Sequence, residues 1–141
     1  MKSQSIVVVR YQETDQMGIA HHSVYPVWFE VARTDFIKAL GLPYSVMEKK
    51  GVMLPLTELR ACYHKAAFYE DELVVTARLT RLSAAKAGFL YTVERKSDGQ
   101  LIATGETVHG IVDSGAFRPI NLKNKHPEMF ELLSESMEDE K

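Results

Sequence analysis

Cysteine is almost absent from this chain, which restricts both its covalent structure and its chemistry. The 141 residues include one cysteine, Cys62. A single cysteine allows no internal disulfide bond and is typical of a reducing compartment. Cys62 lies in a predicted strand with no catalytic motif around it, so we interpret it as a small buried apolar residue and not as a nucleophile.

An excess of charge and long apolar runs are also missing. The net charge of −2 gives no electrostatic argument for a nucleic acid as the main ligand. The apolar run near the N-terminus is too short for a signal peptide, and no stretch is long enough to span a membrane. His64, His109 and His126 lack the spacing of metal ligands, so we predict no metal site. We expect a cytoplasmic protein.

The most strongly patterned stretch predicts one long helix that begins at Ser23 and ends before Gly41. Ser23 is a good N-cap residue, and Gly41 followed by a proline is typical of a helix end. Apolar residues recur at helical spacing along one face: Tyr25, Trp28, Phe29, Ala32, Phe36 and Leu40. A second apolar row predicts that the first half of the helix is enclosed, and it consists of Val24, Val27 and Val31. The late polar residues, including Arg33, are expected to face water.

Five segments have the composition and alternation of β-strands. One precedes the helix, at residues 6–11, and four follow it, at residues 53–68, 73–80, 89–94 and 101–112. Short connections between the later strands imply antiparallel neighbours, and a sheet packed on one helix is an α+β arrangement. We expect a single domain over residues 1–141, with a core at about 4–121 and a helical, acidic tail at 127–141.

The residues best suited to chemistry lie in the loop before the helix. Asp15 and His22 precede the first helical turn, where free amide groups and the positive end of the helix dipole can stabilise an anion. Taken singly, each residue also has a structural interpretation. Asp15 can be a turn acid or a cap, His22 a satisfied polar side chain, and Tyr11 a packing residue at a strand end.

The combination is more specific than its parts. Tyr11, Asp15, Gly18, His22 and Tyr25 form the pattern Y-x-x-x-D-x-x-G-x-x-x-H-x-x-Y, which runs into the helix motif F-E-x-A-R. This pattern resembles the hotdog-fold acyl-CoA thioesterases, in the 4-hydroxybenzoyl-CoA thioesterase-like branch that includes the Tol-Pal-associated acyl-CoA thioesterases. The resemblance extends to about residue 120. It implies a five-stranded antiparallel sheet wrapped around one long central helix.

The resemblance also implies roles for individual residues. Asp15 is the essential carboxylate, as nucleophile or as general base, and these alternatives stay open. The backbone N–H of His22 stabilises the developing oxyanion, its side chain orients the thioester or a water, and Tyr11 holds the loop or the acid. Gly18 and Tyr25 belong to the substrate site. The family site lies at a dimer interface, which implies a homodimer or a homotetramer.

Coenzyme A is part of the implied substrate, so no separate cofactor is expected. We assign its phosphate contacts to Lys65, Lys86 and Arg118, although each is as well explained as a solvated surface charge. The family commonly carries several basic residues and a serine before its third long strand. Here residues 84–88 contain one basic residue, Lys86.

Two other functions are compatible with the same fold. A hotdog-fold dehydratase or hydratase also pairs an acid with a histidine, but in a distinct hydration motif that this sequence lacks. A non-catalytic protein that binds acyl thioesters needs no reacting carboxylate. Loss of thioester hydrolysis on substitution of Asp15 distinguishes the enzyme from such a binding protein.

Overall fold

The computed structural model describes residues 1–138, and its main feature is a five-stranded antiparallel sheet packed on one long helix. In chain order the elements are β1 (Lys2–Val8), two short 3-10 helices (Tyr11–Glu13 and His22–Val24), α1 (Tyr25–Ala39), α2 (Tyr44–Lys49), β2 (Val52–Met53), β3 (Leu56–Tyr63), β4 (Glu72–Leu82), β5 (Lys86–Arg95), β6 (Leu101–Gly110), β7 (Val112–Asp113), α3 (Leu122–Lys125) and α4 (Pro127–Ser136). The strand order in the sheet is β1-β4-β5-β6-β3, and β2 pairs with β7. The predicted fold class is confirmed.

Helix α1 is held against the sheet by aromatic side chains. Phe29 stacks on Tyr91 of β5 with 4.6 Å between ring centroids, and Phe36 meets Phe89 edge to face at 5.6 Å. Strand β6 allows this close approach because it has a glycine beneath Phe29. A Cβ added at Gly105 would lie 2.3 Å from Phe29 Cζ. The helix position therefore depends on one specific pair of residues.

A chain of hydrogen bonds crosses the core beside this stack. Arg33 Nη1 donates to Tyr91 Oη at 3.1 Å, and Tyr91 Oη lies 2.6 Å from Thr107 Oγ1. His109 Nε2 lies 3.0 Å from the same Thr107 oxygen, and His109 Nδ1 is 3.1 Å from the Leu54 carbonyl. Because a carbonyl only accepts, Nδ1 carries the proton and Nε2 accepts from Thr107. The expectation that Arg33 faces water is wrong, because the tyrosine hydroxyls hold its guanidinium.

Burial also keeps the His109 imidazole neutral. Desolvation, followed by the positive charge of Arg33, lowers the pKa of His109 from 6.5 to about 4. The ring is fully enclosed and lies edge-on to Phe89. Its role here is structural, since it ties β6 to the segment that enters β3.

The predicted ends of the elements need three corrections. Helix α1 ends as predicted, with Gly41 at φ +78°, but its N-cap is Val24 and not Ser23, because Ser23 lies inside the 3-10 helix that precedes α1. The first strand ends at Val8, since Tyr11 begins a 3-10 turn. The predicted strand over residues 53–68 is two strands, separated at Leu54 and Pro55, where the proline has no N–H for a ladder.

Strand β3 forms an open edge of the sheet, and none of its eight residues is buried. Cys62 is exposed there, so its predicted burial is wrong, because it lies on an edge strand and pairs with Thr104 on the face away from α1. Val27 and Val31 are 52% and 38% exposed, which contradicts the prediction of an enclosed second row, because no element of the described chain covers that side of α1.

The C-terminal segment packs on the domain through Met129 and Leu133 of α4, which are buried. The helical character predicted for the tail is thus found as far as residue 136. Residues 139–141 of that tail lie outside the described residues. Among residues 1–138, no helix is both long and apolar enough to cross a membrane.

Candidate active site

The loop that carries Asp15 is a miniature hairpin. Thr14 and Ala20 form a β-bridge, and the Asp15 N–H donates to the Ile19 carbonyl at 3.0 Å. The Gly18 N–H donates to the Asp15 carbonyl at 2.9 Å, and Gly18 adopts φ +79°, which favours glycine. Gly18 therefore shapes the turn that presents Asp15.

The carboxylate of Asp15 is partly used by this turn. Its Oδ1 accepts the N–H of Met17 at 2.8 Å, which is an Asx-turn. Within residues 1–138, Oδ2 has no hydrogen-bond partner, and the side chain is half-buried. The turn acid and the reacting acid are thus not exclusive interpretations, because one oxygen can orient the group while the other meets a ligand.

The hairpin loop that carries Asp15 continues into the helix through His21 and His22. The His21 N–H donates to the Glu13 carbonyl at 2.8 Å, and the two imidazole rings lie 4.0 Å apart. His22 is the first residue of the 3-10 helix that leads directly into α1, so its N–H has no acceptor within the helix. This amide is available to an anion.

A cavity of about 290 Å³ lies between this loop and the end of β3. Its walls combine the hairpin loop, the start of α1 and the chain that leaves β3: Asp15, Met17, Ile19, Ala20, His22, Tyr25, Tyr63, His64, Lys65 and Ala66. Four of the predicted site residues therefore meet here, and they are Asp15, His22, Tyr25 and Lys65.

Tyr63 is a residue of this cavity to which sequence reasoning gave no role. Its hydroxyl donates to the His22 carbonyl at 3.1 Å, and its ring meets Tyr25 edge to face at 5.0 Å. Burial, with a smaller contribution from Tyr63, raises the pKa of Tyr25 to about 12, so Tyr25 stays neutral. In the sequence, Tyr63 is an aromatic residue within the strand predicted at residues 53–68, and nothing there connects it to the Asp15 loop.

The wall opposite the loop is fixed by Arg95. Its Nη2 donates to the Ala66 carbonyl at 2.6 Å, and its Nε donates to Asp71 Oδ2 at 3.0 Å. Asp71 Oδ2 also accepts the N–H of Phe68 at 2.9 Å. The chain that follows β3 is thereby anchored to the end of β5.

Tyr11 lies on the other side of the loop from the cavity. Its side chain is 75% exposed, and its ring meets Tyr69 edge to face at 5.8 Å. The Tyr11 carbonyl accepts both the N–H and the hydroxyl of Thr14. Within one chain, Tyr11 thus holds the loop through its backbone, and it does not line the 290 Å³ cavity. Tyr11, Asp15 and Gly18 instead line a second cavity of about 650 Å³ on the other side of the loop, together with Tyr69.

Lys86 and Arg118 lie at the opposite end of the sheet. Lys86 begins β5, whereas Arg95 at the end of β5 contacts the cavity wall. Ten residues of strand span about 30 Å. Arg118 is exposed just beyond β7, where its carbonyl accepts the Asp113 N–H. A single chain therefore does not bring either side chain to the cavity.

Metal ligands do not cluster in this region or elsewhere in the described part of the chain. Residues 1–138 contain no group of three or more histidine, cysteine, aspartate or glutamate side chains that could hold a metal ion. The chemistry available at the cavity is that of a carboxylate, two imidazoles, a lysine and the N-terminal backbone amides of the helix.

Known proteins resemble this chain in sequence and in architecture. The pattern of the Thioesterase-like superfamily matches residues 9–132. The Bacillus subtilis (strain 168) protein named "Putative acyl-CoA thioesterase YneP" is 38% identical over 126 residues, which cover 89% of this chain and 91% of that protein. The DHNA-CoA thioesterase of Staphylococcus aureus superposes with a TM-score of 0.89 and 35% identity, over 95% of this chain and 89% of that one.

A hypothetical protein from Thermus thermophilus, TT1821, superposes with a TM-score of 0.87 and 37% identity, over 99% of this chain and 100% of that one. The match to the superfamily covers most of the chain, and it includes the loop, α1 and the strands that form the cavity. The chain therefore belongs to the Thioesterase-like superfamily, and it is a hotdog-fold thioester hydrolase of the 4-hydroxybenzoyl-CoA thioesterase-like branch.

Proposed function

We propose that this protein hydrolyses acyl-CoA thioesters with Asp15 as the reacting carboxylate. The observation that carries the proposal is the shared cavity, in which Asp15 faces the N-terminal end of α1 and keeps one oxygen without a partner in the described chain. Helix N-terminal amides can stabilise the oxyanion that forms when a thioester carbonyl is attacked. An acid and an oxyanion donor are the minimum that this hydrolysis requires.

Two reaction sequences fit this arrangement. In the first, Asp15 Oδ2 attacks the carbonyl carbon, the C–S bond breaks, the thiolate takes a proton, and water hydrolyses the resulting anhydride. In the second, Asp15 removes a proton from water as that water attacks the carbonyl carbon, the C–S bond then breaks, and the proton passes from Asp15 to the departing thiolate. In both, the carbonyl oxygen accepts from the His22 N–H, and the His22 side chain orients the thioester or the water.

A second copy of the chain would complete the site. The open edge of β3 presents unpaired backbone groups, and an antiparallel partner strand can satisfy them. The His64 N–H donates to Ile102 of β6, so strand alternation places the N–H groups of Leu59, Ala61 and Tyr63 on the open side. Apolar side chains beside this edge are exposed as well, including Leu59 and Val27.

Two-fold pairing through β3 would also explain why Lys86 is far from the cavity of its own chain. Antiparallel pairing sets the start of the second copy's β3 beside the end of this one, next to Tyr63. The Pro55 carbonyl, at the start of β3, accepts the Gly110 N–H, and Gly110 pairs with Lys86. The second copy's Lys86 would then lie three strand spacings, about 14 Å, from the cavity wall. This arrangement supports Lys86 as a coenzyme A contact from the second copy, and the contact predicted for Arg118 stays a prediction.

The test of the reaction is release of free thiol from a panel of acyl-CoA substrates. The panel combines alkyl chains of several lengths with aryl-CoA esters, and it includes DHNA-CoA because the S. aureus neighbour is a DHNA-CoA thioesterase. We expect hydrolysis by the wild type and loss of hydrolysis in Asp15→Asn, with binding of acyl-CoA retained. Binding without hydrolysis by the wild type would instead identify an acyl-thioester binding protein.

The test of assembly is Ala61→Pro, examined by analytical ultracentrifugation. Proline removes an N–H from the open side of β3 and leaves the β3–β6 ladder in place. We expect a dimer or larger species for the wild type and a monomer with low activity for the variant. A wild type that sediments only at 16.0 kDa at micromolar concentration contradicts the proposed assembly.

A cytoplasmic location and the lack of a separate cofactor stay predictions of the sequence.

A further inference from the structure

His21 is the residue that joins the Asp15 loop to the start of the helix, and the proposed mechanism gives it no task. Its N–H donates to the Glu13 carbonyl at 2.8 Å, and its own carbonyl accepts the Val24 N–H at 3.0 Å. Its side chain is partly buried and is the N-terminal cap of the 3-10 helix. Three of its polar groups therefore fix the backbone on either side of His22.

The contacts of the His21 ring show which role its Nδ1 nitrogen takes. Nδ1 accepts the Ser23 N–H at 3.2 Å, so this nitrogen carries no proton. The Ser23 hydroxyl, 2.8 Å away, then also donates to Nδ1. The ring thus accepts through Nδ1 and satisfies an N-terminal amide, a task more often performed by serine, threonine, aspartate or asparagine.

This cap controls where the His22 amide lies. The Ser23 N–H held by His21 is the next backbone N–H after that of His22, and both belong to one turn. Tyr63 holds the same turn from the other side, through its hydrogen bond to the His22 carbonyl. With the flanking groups fixed, the peptide plane that carries the His22 N–H has little freedom to rotate away from the cavity.

We infer that His21 is a positioning residue for thioester hydrolysis, which acts by capping the turn that aims the His22 N–H at the substrate carbonyl. The inference rests on the proposed function, since it assumes that this amide stabilises the oxyanion. Removal of the cap should lower kcat more than it raises KM, because the oxyanion develops only after the substrate is bound.

The chain offers a matched pair of substitutions at this position. Asparagine places Oδ1 where histidine has Nδ1, so His21→Asn keeps the cap and removes the ring that lies 4.0 Å from the His22 ring. Phenylalanine keeps a ring and removes the acceptor, so His21→Phe keeps the ring contact with His22 and removes the cap. The pair separates capping from packing, and circular dichroism and thermal unfolding establish that both variants are folded.

We expect His21→Asn to keep kcat within about two-fold of wild type and His21→Phe to lower kcat by about ten-fold or more, because a small misplacement of a catalytic group can lower the rate by up to about a hundred-fold. In both variants KM should change by less than about three-fold. Equal kcat values for the two variants, or a loss in His21→Phe that appears only in KM, overturn the inference. Asp15→Asn, assayed alongside, separates this outcome from failure of the proposed function, because it must remain inactive.

The Ser23 hydroxyl gives a second control, since a serine beside an imidazole also resembles a nucleophile–base pair. Ser23→Ala removes the hydroxyl and keeps the capped N–H. We expect it to retain more than about half of the wild-type kcat. Complete loss of hydrolysis in Ser23→Ala would identify Ser23 as the nucleophile and overturn the positioning role of His21.

Discussion

The middle of helix α1 and its N-terminal end differ in how they use their side chains. In the middle, Phe29 and Phe36 are completely buried, and the neighbouring polar groups bond to one another. At the N-terminal end, His22 is exposed. Inside the described fold, one oxygen of Asp15 has no hydrogen-bond donor, and the His22 N–H has no acceptor. The packed region fixes the helix in place, and the open region is left for a ligand. Stability and activity should therefore respond to different substitutions.

Gly105→Ala should have the largest effect on stability. The new Cβ would lie 2.3 Å from Phe29 Cζ, so α1 or the ring must move. Overpacking of this kind costs about 3 kcal/mol in the free energy of unfolding. Urea unfolding measures this cost, and Gly110→Ala on the same strand is the control, because its nearest neighbour would be 3.8 Å away. Equal stability of the two variants would show that the middle of α1 is not tightly packed.

Acidification should weaken the packed region through His109. Its pKa is lowered from 6.5 to about 4 in the folded protein, so the unfolded chain takes up a proton first as the pH falls. Stability is therefore lost below about pH 6.5, and the loss between pH 7.5 and 5 should reach about 2 kcal/mol. Urea unfolding of wild type and His109→Gln at both pH values tests this. An equal pH dependence in the variant would assign the effect to other groups.

His22→Ala should have a smaller effect, and on activity alone. The side chain is exposed, so the free energy of unfolding should change by less than about 0.5 kcal/mol. We expect kcat to fall by about ten-fold and not to vanish, because the backbone N–H that stabilises the oxyanion remains. Wild-type turnover in this variant would exclude the side chain from the reaction. A fall in kcat that is accompanied by an equally large loss of folding stability would show that His22 acts as a packing residue instead.

Sequence reasoning predicted the packed region better than the open one. Strand alternation identified Leu73, Val75, Ala77 and Leu79 as one face, and all four are fully buried. That face is determined by periodicity, which a sequence shows directly. Cys62 was misplaced because an edge strand and a central strand can have the same local pattern, and the difference depends on the neighbours that fold beside them.

The site was predictable where its residues are close in the chain. Asp15 and His22 belong to one loop, and they meet in one cavity, as the motif indicated. Tyr63 joins them through its hydrogen bond to the His22 carbonyl, and the two residues are 41 positions apart in the sequence, so no local pattern reveals the contact. The cap was assigned to Ser23 because serine is the commoner capping residue, whereas here the preceding imidazole, His21, reaches its N–H. Lys86 and Arg118 do not line the cavity in a single chain, so their contacts with coenzyme A stay predictions.

The most direct measurement compares the same chemical change in the two regions, Asp15→Asn and Asp35→Asn. Asp35 Oδ2 accepts the Ser5 hydroxyl at 2.5 Å, which ties α1 to β1 away from the cavity. We expect Asp15→Asn to lower kcat at least about a hundred-fold with unchanged stability, and Asp35→Asn to keep kcat and lose about 1 kcal/mol of stability. A folded Asp15→Asn protein that hydrolyses acyl-CoA at the wild-type rate would contradict the assignment of Asp15 as the reacting carboxylate.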